Sequence, residues 1–153
     1  MRRIIAYLVR FAVVLIGYIV GSLAASAFLN ALFLGYFGYA LEPGHPTIVP
    51  ALYFSVPFVA LFVAYFAFMP SAVVILVAEV LGRRDWLFYA LGGAVVAIVF
   101  LGFAHNAGDA NFDVTATNAR LAVVGSGMVG GIFYWLSSGR WAGSWRREPL
   151  PDL

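Results

Sequence analysis

The stretch FAVVLIGYIVGSLAASAFLNALFLGYFGYAL, residues 11–41, carries no charged side chain. A hydrocarbon core about 30 Å thick is crossed by about 20 apolar residues in a helix, so this run spans a membrane with length to spare. Arg2, Arg3 and Arg10 precede it, and Arg10 is placed to snorkel back to the headgroups. Small residues recur along the run at four-residue spacing, Gly17, Gly21 and Ala25, with Ser22, Ser26 and Asn30 beside them. Helices in lipid associate by close backbone contact and hydrogen bonds, so the first set reads as a packing face and the second as a mildly polar stripe along it. The alternative for the stripe is the lining of a substrate path.

Working outward, Glu42-Pro43-Gly44-His45-Pro46-Thr47 reads as a tight turn. A second apolar run goes from Val49 to Ala78, with Pro50 in its first turn and Pro57 and Pro70 inside it. A helix over 50–81 would be about 48 Å long, too long for one straight crossing and too short for two. The expected shape is therefore proline-bent: one span from Pro50 to about Phe68, then an extension from Ser71 to Leu81 along the membrane interface. Glu79 lies four residues before Arg83 and shares a helix face with it, which predicts an interfacial ion pair.

Asp85 is a good N-cap for a third helix over 86–104, where Gly93 and Ala97 form another small-residue face. A fourth helix is expected over 115–138. It carries Gly127 and Gly131, with Ala122, Ser126 and Gly130 alongside. The first helix is expected over 4–38. Residues 1–139 thus form an all-α, polytopic bundle of four transmembrane helices, and 140–153 form an interfacial tail. Trp86, Tyr134, Trp135, Arg140, Trp141 and Trp145 suit headgroup depth, where amphipathic rings and cations collect. Tyr89 fits the same level, and Tyr36 and Tyr39 fit the opposite interface.

Composition agrees and excludes much else. The chain has 153 residues, 63% hydrophobic and only 10% charged, whereas about a quarter of an ordinary soluble domain is charged. No cysteine is present, which removes disulfides, thiolate metal sites, iron–sulfur clusters and thiol catalysis. A net charge of +2 gives no reason to invoke nucleic acid. With four spans, eight of the nine arginines fall on the side of the termini and only Arg120 on the other. That asymmetry puts both termini in the cytoplasm, and a five-span count would spoil it. Met1-Arg2-Arg3 and Ala25-Ser26-Ala27 imitate a signal peptide, but the apolar run continues to Leu41, so the helix is expected to stay uncleaved.

Chemistry-bearing residues are sparse. His45, His105 and Asp109 are the best metal set that can be drawn, but only His105 and Asp109 have ligand spacing, in a glycine-containing loop, so they read as solvated. No histidine lies within a span for haem, and no base or ligand set lies at depth for proteolysis. Gly125-Ser126-Gly127 lacks the lysine of a phosphate loop. No catalytic, cofactor-binding or metal residue is assigned.

One stretch resembles a known group. Tyr134-Trp135-Leu136 followed by Gly139-Arg140 and Ala142-Gly143 is similar to the closing motif, Y-W-L-x-x-G-R-x-A-G, of small uncharacterised inner-membrane proteins of alphaproteobacteria. The segment from Pro70 through Glu79 and Arg84 to Gly93 resembles their middle region. The likeness covers about half the chain. It implies a four-span topology and a bacterial inner-membrane address, and it implies no activity.

The leading functional expectation is a non-enzymatic membrane protein, an accessory or assembly subunit or a self-associating bundle. Its partners are membrane lipid and either other membrane subunits or further copies of itself. The alternative is a small transporter or channel, which Asn30, Glu79 and the proline-bearing second helix favour.

Overall fold

The computed structural model describes residues 2–36, 48–106 and 117–142. They form four helices, α1 (Arg2–Tyr36), α2 (Ile48–Leu81), α3 (Trp86–Asn106) and α4 (Thr117–Ser137), followed by a 3₁₀ turn at Gly139–Trp141. All four are long and apolar enough to cross a membrane. Helices α3 and α4 have 21 residues each. At about 1.5 Å per residue that is roughly one hydrocarbon thickness. The helices α1 and α2 are much longer, at 35 and 34 residues.

Neighbours run antiparallel around a closed ring. Ser26 on α1 meets Val56 on α2, while Arg10, near the start of α1, meets Glu79, near the end of α2. Phe66 on α2 packs edge-on against Phe100 on α3, with ring centroids 5.9 Å apart. Gly93 on α3 faces Gly127 on α4, and Gly130 on α4 faces Gly21 on α1. The bundle is up-down-up-down, so α1 begins and α4 ends on the same face.

Its interior is made of small residues. Ala25, Ala60, Ala78, Ala90, Ala97 and Ser26 are buried, whereas Phe54, Phe58, Tyr65 and Phe103 point outward. Water would drive those rings inside. Lipid tails are as apolar as they are, so close backbone approach decides what faces inward instead. The protein is a multi-pass helical membrane protein.

The second helix corrects one expectation. Ser71 to Leu81 does not lie apart along the interface. The helix continues through Pro57 and Pro70 to Leu81, with Ala78 fully buried and Val74 against Gly92 of α3. Ala60 and Ala78 are buried on its inner side, while Tyr53, Leu61, Tyr65 and Met69 are exposed.

It then stops abruptly. Gly82 adopts φ +62°. Its N–H donates to the Glu79 carbonyl at 3.3 Å, and that of Arg83 donates to the Ala78 carbonyl at 3.0 Å. These are the two bonds of a Schellman cap, which needs a left-handed residue at this position. A β-branched side chain is strained there, so Gly82→Val should cost roughly 1–2 kcal/mol. Nothing lies within 4 Å of the new Cβ. Thermal unfolding in detergent should therefore show a lower midpoint without a change in oligomeric size.

Candidate functional site

The tightest contacts are between backbones. A Cβ on Gly93 would run into the carbonyl oxygen of Gly127, and one on Gly127 into that of Gly93. The same Gly127 Cβ would come within 2.9 Å of the Ala97 methyl. A Cβ on Gly131 would strike the Tyr89 carbonyl. On the other side of α4, Gly21 and Gly130 face each other's carbonyls at 2.9 and 3.0 Å from an added Cβ, and Ala25 packs beside Gly130. Gly17 makes room for Ser138 and Tyr134. Helix α4 thus has two small-residue faces, Gly127 and Gly131 toward α3 and Gly130 toward α1. The packing residues named from the sequence all point into the bundle.

The polar stripe of α1 is a ladder onto α2. The Ser26 hydroxyl, fully buried, donates to the Val56 carbonyl at 2.7 Å. Asn30 donates to the Ser26 carbonyl at 2.9 Å and accepts from the Ser55 hydroxyl at 2.9 Å. Tyr18 donates to the Ala64 carbonyl at 2.6 Å. Ser22 bonds back to its own helix at the Tyr18 carbonyl. Each of these satisfies a hydroxyl or amide that lipid would leave bare.

The charges correct the sequence reading. Glu79 pairs with Arg10 of α1, and the Arg83 guanidinium turns instead to Asp85 at 3.5 Å, where both are exposed. Arg10 and Glu79 are mostly buried, at 17% and 18% side-chain exposure, so Arg10 does not snorkel away. Four-residue spacing permitted the local pair, but the Schellman cap turns Arg83 out of the helix just where it would reach back. A sequence signal for the true pair existed. Arg10 and Glu79 stand almost equally far in sequence from Gly44, where the turn was expected, which puts them side by side when the two helices fold back antiparallel.

Tyr134 and Tyr89 turn inward and are buried, at 6% and 3% exposure, with rings 5.5 Å apart. Gly17 and Gly21 leave space for Tyr134, and Gly139 leaves space for Tyr89, whose ring would lie 2.9 Å from a Cβ there. Gly139 therefore serves ring packing as well as the end of α4. The α2–α3 turn and the 3₁₀ turn are tied together beside them. Trp135 Nε1 donates to the Arg84 carbonyl at 2.6 Å, and Arg84 Nε donates to the Ala142 carbonyl at 3.0 Å. Trp86 and Trp141 are exposed, the latter with the Arg140 guanidinium 5.9 Å from its ring centre. Trp145, His45, Asp109 and Tyr39 lie outside the described residues.

These walls line a partly open central cavity of about 90 Å³ touched by all four helices. Its lining is mostly glycine, alanine and valine, with Tyr18, Ser22, Ser71, Tyr89 and Tyr134 as polar points. It is closer to the face where α3 begins and α4 ends. Among the described residues no three of His, Cys, Asp and Glu come together. No family model, curated protein or solved structure matches this chain. The cavity and the ladder beside it are what the molecule itself offers as a site. Several ordered waters or a short run of methylenes would fit that volume.

Proposed function

We propose that this chain is a non-enzymatic accessory or assembly subunit, or a self-associating bundle, of a bacterial inner membrane, as its resemblance to small alphaproteobacterial membrane proteins implies. The observation that carries this reading is the use made of its intramembrane polar groups. Tyr18, Ser26, Asn30, Ser55 and Ser126 all bond to backbone or to one another. Ser126 bonds back within α4, and the other four tie α1 to α2. Purification from native membranes in gentle detergent tests it. The expected result is a larger complex or a defined oligomer; an isolated monomer that moves a solute by itself overturns it.

A second reading, a small transporter or channel, is favoured by the cavity and by the Arg10–Glu79 pair set toward the nearer face. Ionisable groups inside a membrane protein commonly mark solute or proton paths. Flux of protons into dye-loaded vesicles containing the purified chain separates the two readings.

Orientation follows from the arginines. A cytoplasm-active reporter fused after Leu153, or inserted at Arg83-Arg84, should give signal. One inserted within 107–116 should give signal only if it is periplasm-active. Eight arginines against one on the two faces motivate this. Periplasmic exposure of the C-terminus would refute the topology.

A further inference from the structure

The four joints of the helical ring are not alike. Helices α1 and α3 each meet α4 backbone to backbone at glycine. Hydrogen bonds from Tyr18 and Ser26, with the Arg10–Glu79 pair, lace α1 to α2. Between α2 and α3 the approach is the sparsest of the four. The contacts there are apolar: Phe66 edge-on to Phe100, and Val74 against Gly92. Helix α2 is also the one most able to give. It alone among the described helices has proline in its interior, and Pro70 leaves the Phe66 carbonyl without its helical N–H. Phe66 is a residue that meets α3.

Behind this joint lies the partly open cavity. Val63, Ala67 and Val74 of α2 form one of its walls, and Gly92 and Val96 of α3 another. The way in is uncharged. Helix α3 has no Asp, Glu, Lys or Arg, and the single charged residue of α2, Glu79, is bound to Arg10. Phe62 stands a turn before Phe66 and Phe103 a turn after Phe100, and both are exposed and apolar. We propose that the α2–α3 joint is a lateral gate, and that the cavity behind it receives the acyl chain of a membrane lipid. An uncharged rim and a lining of mostly glycine, alanine and valine suit methylenes. A charged or strongly hydrated solute would have to shed its water to pass between these two helices. The site goes beyond the assembly role proposed above, since a subunit can hold a lipid without moving one.

The joint offers its own lock. A Cβ built on Gly92 lies 3.8 Å from the Val74 Cβ, a separation that a disulfide spans, and Val74→Cys removes the methyl that would crowd it. The chain has no cysteine, so no other thiol competes. The full chain, as wild type and as Val74→Cys/Gly92→Cys, would be reconstituted in vesicles of phosphatidylethanolamine and phosphatidylglycerol. A phosphatidylglycerol with a diazirine on its acyl chain is the probe, and one sample of the double variant is oxidised in detergent beforehand. After irradiation, labelled residues are mapped by mass spectrometry. Label is expected on Val63, Ala67 and Val96 in wild type and in the reduced variant. Oxidation should abolish it, while label on Leu61 and Ile98, which are exposed on the outside, is unchanged. Ala67→Phe, which fills the cavity and leaves the joint free, should abolish the interior label as well. An unlabelled interior in wild type, or interior label that survives oxidation or Ala67→Phe, would overturn the proposal. So would a double variant that forms no disulfide within one chain. The vesicles contain this chain alone, so interior label there stands or falls apart from whether native membranes yield a larger complex.

Discussion

Gly93→Ile and Gly127→Ile will each prevent the bundle from closing. At both positions an added Cβ runs into a carbonyl of the facing helix. Overpacking usually costs about 1–3 kcal/mol because neighbouring side chains shift; here the obstacle is backbone, so roughly 3 kcal/mol or more is expected. Gly21→Ile should be milder, since its Cβ would meet the Gly130 carbonyl at 2.9 Å, where a slight helix displacement suffices. Two controls isolate the cause. Leu15→Ile keeps its volume on a side chain 40% exposed, and Gly102→Ala meets nothing within 4 Å. Both should unfold like wild type. The check is thermal stability and monodispersity in mild detergent across the series. If the two α3–α4 variants match the controls, these helices do not touch through their glycines.

Reversing one charge of the Arg10–Glu79 pair is the second large perturbation. Arg10→Glu would set two carboxylates together, and Glu79→Arg two guanidiniums, in surroundings that expose less than a fifth of either side chain. Breaking a fully buried pair costs about 3–5 kcal/mol. Partial access to solvent reduces this to roughly 1–3 kcal/mol for each single variant. The double variant restores opposite charges and should recover most of the loss. A double-mutant cycle read by denaturation in detergent checks it. Additive losses would mean that the two residues act independently. Exchanging Arg83 instead should matter little, because its partner Asp85 is exposed and 3.5 Å away.

Those two expectations show what the sequence could and could not reveal. Span number and position were legible, because uncharged runs and Pro-Gly or Gly-Arg breaks are properties of the chain itself. The four-residue repeats of Gly17, Gly21 and Ala25, and of Gly127 and Gly131, were legible for the same reason. Partner choice was not. Glu79 has a basic residue on its own helix and another a whole hairpin away, and only the antiparallel register brings the second beside it. Tyr89 and Tyr134 carry the amphipathic ring of an interfacial anchor, yet lie inside because glycines elsewhere leave ring-sized gaps. Tyrosine identity does not encode burial; the size of the residue opposite does. Gly130 was visible as a small residue, but its position back to back with Gly127 and Gly131 on two separate faces required the assembled ring.

The unequal helix lengths bear on the membrane around the protein. The apolar stretches of α1 and α2 cover 30 residues each, those of α3 and α4 only 18 and 21. At about 1.5 Å per residue these are roughly 45 Å against 27–32 Å. Even a 40° lean would leave the longer pair at about 34 Å along the normal. Lipids on the α1–α2 flank must stretch while those on the α3–α4 flank relax, so the molecule sits in a lopsided annulus. Each ångström of mismatch is worth a fraction of a kcal/mol. Summed over the longer flank, that energy favours thicker bilayers and rewards covering the long helices with another protein rather than with lipid.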